Sequence, residues 1–146
     1  DIQNGRDCLM HGITFEDINV EIQNDCMCPM LQKSADQKYD PPVKTALPNL
    51  ISIVNRKYPI RQKTLDVVTR VECDEFGRVS DILYKNINVY LDDGIEQKPM
   101  IKFVSCDANR PFENIVIDGL YVNGEKQTNL GLFNVKIENC NPVTLK

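Results

Sequence analysis

Tryptophan is missing from this 146-residue chain, histidine occurs once (His11), and basic residues do not outnumber acidic ones. With 17 Lys and Arg against 21 Asp and Glu, the formal net charge is -4. No basic stripe is available to neutralise phosphates, which argues against a nucleic-acid partner. No apolar run approaches the ~18 residues of a membrane span. Nor is there a charged segment followed by an apolar one, so no signal peptide is visible. G-x-G-x-x-G, P-loop, G-x-S-x-G and H-E-x-x-H motifs are absent, as are Asn-x-Ser/Thr acceptor sites. The chain starts at Asp1 without a methionine, as a piece cut from a longer protein would; a processed mature form is the alternative.

Six cysteines are present: Cys8, Cys26, Cys28, Cys73, Cys106 and Cys140. Only Cys26 and Cys28 are close, and C-x-C lacks the paired C-x-x-C and His partners of a zinc site. The chain is long and apolar enough to form a core without disulfide staples. Scattered buried thiols are therefore expected, with neither metal nor cofactor, and such thiols favour a reducing compartment, cytoplasmic in the simplest case.

What the chain does contain is one line written three times. "HGITFEDINVEI" (11–22), "SDILYKNINVYL" (80–91) and "ENIVIDGLYV" (113–122) align without gaps. Gly12, Asp81 and Asn114 share a column, each followed by Ile: Ile13, Ile82, Ile115. Phe15, Tyr84 and Ile117 come next, then Asp17, Asn86 and Gly119, then Ile18, Ile87 and Leu120, and finally Val20, Val89 and Val122. Alternating apolar positions are the period-2 mark of strands with one buried face. The two columns restricted to Gly, Asp and Asn hold the residue types that tolerate a left-handed backbone, so each is expected to be a corner between strands. By the same alternation Tyr84 should point inward, whereas Tyr90 and Tyr121 should point outward. A weaker fourth copy, Asn134–Cys140, is either a last repeat or an extra strand of the third.

Copies two and three lie 33 residues apart, and copies one and two 69, close to two such units. Strand repeats at this period predict an all-β array, and the spacing lacks the about 40–45 residues of a propeller blade. The expected fold is a parallel β-helix, a short solenoid of about four to five rungs forming a single domain over 1–146. A missing rung is expected between Ile22 and Arg78, with strands in "NLISIVNR" (49–56) and "TLDVVTRVEC" (64–73), and "RKYPIRQK" as a turn or charged excursion. "PMIKFVSCD" (99–107) and "LGLFNVKIENC" (130–140) should answer each other as strands. The Pro-rich stretch at 28–48 is the longest loop candidate, with a contact to another protein or domain as its possible role. Uncapped solenoid ends would permit self-assembly.

"ITFEDINVEI", "SDILYKNINVYLDDG" and "FENIVIDGLYVNGEK" resemble coils of pectin-lyase-like right-handed parallel β-helices, closest to the C-terminal coils of polygalacturonase-like glycoside hydrolases of family 28. The resemblance covers most of the chain. It implies a right-handed coil, a polysaccharide or oligosaccharide partner, a secreted or periplasmic location, and inverting hydrolysis by paired acids. The family's motifs run Asn-Thr-Asp, Asp-Asp, Gly-His-Gly, Arg-Ile-Lys. Here Asp92 and Asp93 match the Asp-Asp pair, and His11 with Gly12 matches part of the third, but in reversed order; the first and last are absent. "LDDG" also suits a turn after a strand. The expectation is therefore a carbohydrate-active chain, with a glycoside hydrolase as parent and its catalytic acids outside 1–146. The alternative is a non-catalytic carbohydrate-binding or assembly module, with Tyr90 and Tyr121 as contact residues.

Overall fold

The computed structural model describes residues 1–4, 9–23, 49–55, 60–64, 67–71, 77–95 and 98–146. Cys8, Cys26, Cys28, Cys73 and the Pro-rich stretch 28–48 lie outside them. All regular structure among the described residues is strand: β1 (Ile2–Asn4), β2 (Leu9–Ile22), β3 (Asn49–Asn55), β4 (Ile60–Thr64), β5 (Val67–Val71), β6 (Arg78–Leu91), β7 (Met100–Val104), β8 (Glu113–Val122), β9 (Glu125–Lys126), β10 (Asn134–Glu138) and β11 (Thr144–Leu145).

Two parallel sheets carry the core. One has the order β1-β3-β7-β10, the other β11-β8-β6-β2. The three copies of the repeated line are β2, β6 and β8. They pair without slippage, placing Ile13 beside Ile82 and Ile82 beside Ile115. Phe15, Tyr84, Ile117 and Leu145 form a second row, and Ile18, Ile87 and Leu120 a third. In the facing sheet Ile2, Ile53, Phe103 and Ile137 line up in the same way. Ile53, Ile82, Ile101, Phe103, Ile117 and Leu120 are fully buried. Each such side chain contributes roughly 1.5–3 kcal/mol relative to an exposed one. Tyr84 points inward, as the alternation requires, and stacks on Phe15 with ring centroids 5.0 Å apart.

The left-handed columns are real, but they fall inside the continuous strands β2, β6 and β8 and not at corners between separate strands. Gly12, Asp81 and Asn114 have φ of 65°, 55° and 50°, and Asp17, Asn86 and Gly119 have 56°, 52° and 80°. These kinks interrupt the pairing ladder at the same two places in every copy, so the copies stay stackable.

The expected right-handed parallel β-helix of four to five rungs is corrected. The described residues form two open parallel sheets together with antiparallel pairing: β4 with β5 in a separate ribbon, and β9 folded back on β8. No rung separates copies one and two, because β2 pairs directly with β6. The 69-residue interval is close to two repeat units in length, but the chain uses it for β3 in the other sheet and for the ribbon. "RKYPIRQK" likewise supplies part of β4 rather than only a turn. Strand propensity locates such segments but carries no information on direction, which depends on the connection. The fourth copy is β10, which pairs with β7 and not with the strands it resembles.

Candidate functional site

Left-handed corners turn the backbone so that adjacent side chains no longer diverge as they do along a regular strand. At the second column this gathers Glu16 and Asp17, Lys85 and Asn86, and Asp118 and Gly119 around one solvent-open cleft of about 370 Å³, closed on one side by Tyr121 and Lys126. Neighbours on a regular strand would point to opposite faces; the positive φ of Asp17 is why it and Glu16 both reach the same cleft.

The floor of the cleft is a set of bonds across neighbouring strands. Lys85 Nζ donates to Glu16 Oε1. Asn86 Nδ2 donates to Asp17 Oδ1 at 2.6 Å. Along β6 itself, Asn88 Nδ2 donates to Asn86 Oδ1 at 3.4 Å. Glu16, Lys85 and Asp118 occupy one register row, so a cation sits between two carboxylates on adjoining strands. The hydrogen bond to Glu16 holds the Lys85 ammonium above its usual range; the charge of Glu16 adds to this, desolvation opposes it, and Asp17 and Asp118 contribute last. Gly119 allows the Tyr121 ring to lie close: a Cβ at position 119 would stand 3.2 Å from Tyr121 Cε2 and 3.6 Å from the Asn86 nitrogen.

The same device recurs at the first column. Asn114 Nδ2 donates to Asp81 Oδ1 at 2.7 Å, and Ser80 Oγ to Oδ2 at 2.9 Å. These two bonds, Asn114 first, hold the Asp81 carboxyl below the ordinary range, with a small contribution from His11. A second cleft, about 380 Å³, opens where Arg78 and Ser80 at the start of β6 meet Arg110 and Glu113.

The sequence candidates are dispersed. His11 is exposed near the start of β2, in register with Ser80. Asp92 and Asp93 follow the far end of β6; the Asp92 N–H bonds to the Ile22 carbonyl and Asp93 enters a turn with Gly94 at φ 77°. The structure does not bring His11 and the two aspartates together. Tyr90 is 47 % exposed and stands outside the cleft, whereas Tyr121 is half-buried within it. Of the two proposed contact tyrosines, one lines a site. Glu16, Lys85, Asp118 and Lys126 look like solvated strand surface taken singly; the signal in the sequence is the column Glu16, Lys85, Asp118, which alternates in sign beside a left-handed position.

Cys106 is exposed and Cys140 half-buried, and burial pushes the Cys140 thiol up to about 11. Among the described residues no group of three or more His, Cys, Asp or Glu is arranged to hold a metal ion, and no helix is long and apolar enough to cross a membrane. No family model matches the chain, and neither a curated protein nor a solved structure matches it.

Proposed function

We propose that this chain binds an extended carbohydrate without cleaving it, in the cleft around Asn86 and Tyr121. The observation that carries this reading is the Tyr121 ring lying against Gly119 beside a row of side chains rich in donors and acceptors. A sugar offers hydroxyls that pair with carboxylates, amides and ammonium groups, and C–H faces that pack on an aromatic ring with a polar tip. Asp17, Asn86, Asp118 and Lys126 supply the first kind of contact and Tyr121 the second. The resemblance of the repeated lines to polygalacturonase-like proteins supports carbohydrate as the ligand class. A hydrolase reading rests on that resemblance alone, since His11, Asp92 and Asp93 stand apart.

Calorimetric titration of the chain against a panel of neutral and acidic oligosaccharides tests the proposal. At least one should bind in the micromolar to millimolar range, roughly -8 to -4 kcal/mol. Tyr121→Ala and Asn86→Ala should each weaken it about tenfold or more, and Tyr90→Ala should leave it unchanged. Flat titrations throughout, or equal losses for Tyr90→Ala and Tyr121→Ala, would remove this reading.

A further inference from the structure

The far edge of β10 exposes two apolar side chains of one strand, Val135 and Ile137. Val135 and Ile137 are in register with Ile101 and Phe103, which are completely buried, yet they remain 44 % and 41 % exposed, and nearby Leu132 is 46 % exposed. β10 ends its sheet, and among the described residues no strand pairs with its outer side.

The hydrogen bonds of β10 show which main-chain groups face outward. The Asn134 N–H bonds to the Pro99 carbonyl and the Ser105 N–H to the Glu138 carbonyl, so residues 134, 136 and 138 direct their main-chain groups toward β7. In a strand these directions alternate, which leaves N–H and C=O of Val135 and Ile137 pointing away from the sheet. An edge of this kind is a template for another strand, and natural sheets commonly protect it with inward-pointing charge or proline. Here both core-facing positions are β-branched hydrocarbons.

We infer that this edge is an interface with a second copy of the chain: two β10 strands pair antiparallel about a two-fold axis at Ile137. The pattern Lys136-Ile137-Glu138 is self-complementary in that register alone. Ile137 meets its own counterpart as a hydrogen-bonded pair, using the N–H and C=O already directed outward. Lys136 then faces Glu138 of the partner, and Glu138 faces the partner's Lys136, as the closer, non-hydrogen-bonded pairs. Moving the axis to Lys136 would set two ammonium groups opposite each other, which is unfavourable. Within one chain Lys136 Nζ and Glu138 Oε1 are 3.2 Å apart, with about half of each side chain exposed, so both are positioned on the outer face of the edge. A two-fold contact of this type is isologous and closes at two copies, which protects the edge without open-ended growth.

The test is a charge exchange read by sedimentation equilibrium on the full chain from about 1 µM to about 1 mM. The wild type should pass from monomer to dimer across this range. Lys136→Glu alone sets like carboxylates against each other, and Glu138→Lys alone sets like ammonium groups against each other; each should weaken the dimer about tenfold or more. An equimolar mixture of these two variants should restore dimer, because every cross-pair is then opposite in sign. Unchanged far-UV circular dichroism and urea midpoints would confirm that the variants are folded. A wild type that stays monomeric, variants that dimerise as well as the wild type, or a mixture no better than its components would overturn the inference. None of these outcomes depends on carbohydrate binding.

Discussion

Asp81 shows how much a single side chain does in this fold. It holds a left-handed backbone position at φ 55° and receives hydrogen bonds from Asn114 on the neighbouring strand and from Ser80. Both bonds favour its ionised form, so its carboxyl titrates below the ordinary range. A depressed folded value means the stabilisation is full above the unfolded value, about 4, and is lost as pH falls through the folded one. The urea midpoints of wild type and Asp81→Asn should therefore differ above about pH 5 and draw together as the pH falls through the depressed folded value; parallel curves would refute the linkage. The glycines of the two columns should behave differently from each other. A side chain at Gly12 meets nothing within 4 Å, and Asn tolerates the left-handed region, so Gly12→Asn should change stability by less than about 0.5 kcal/mol. Gly119→Asn should lose about 1–3 kcal/mol, because its Cβ crowds Tyr121, and should also impair any ligand binding in the cleft. These corners were legible in the sequence from residue type alone: only Gly, Asp and Asn occupy the two columns. The cleft was not, because its formation depends on which way each corner redirects its neighbour.

At the scale of the strand, burial decides the magnitude of a mutation more than residue type does. Phe103 is fully buried in the middle of its sheet, so Phe103→Ala should cost about 3–5 kcal/mol. Phe15 stacks on Tyr84 but lies on β2, at the end of its described sheet, and is only partly covered; Phe15→Ala should cost about 1–3 kcal/mol. Equal losses in urea denaturation would contradict this gradient. The hairpin between β8 and β9 is fixed by Asn123 and Gly124 at φ 48° and 83°, the pair of positive values that a tight two-residue turn needs. Asn123 also exchanges two bonds with Leu91: its Oδ1 accepts from the Leu91 N–H at 2.8 Å, and its Nδ2 donates to the Leu91 carbonyl at 3.1 Å. The strands themselves were visible as period-2 alternation. Their directions were not, and the β4–β5 ribbon is where that mattered, since a hairpin and a crossover can be built from the same residue types.

For the molecule as a whole, pairings in the parallel sheets join residues far apart in sequence: 69 positions from Asp17 to Asn86 and 33 from Asp81 to Asn114. Loops of this length must close before any of those contacts forms, so refolding from urea should take milliseconds to seconds rather than microseconds. The two intervals differ about twofold, yet the strands they connect meet with identical register. Reading the longer interval as two units was therefore an error about spacing and not about the repeat. Position in the sheet is decided by the columns, and sequence distance is left free to vary. Doubling a connection adds only about 0.6 kcal/mol of closure entropy. A foreign domain spliced into the interval between β2 and β6, with its two ends close together, would ride on the sheet as cargo while the strands on either side kept their partners.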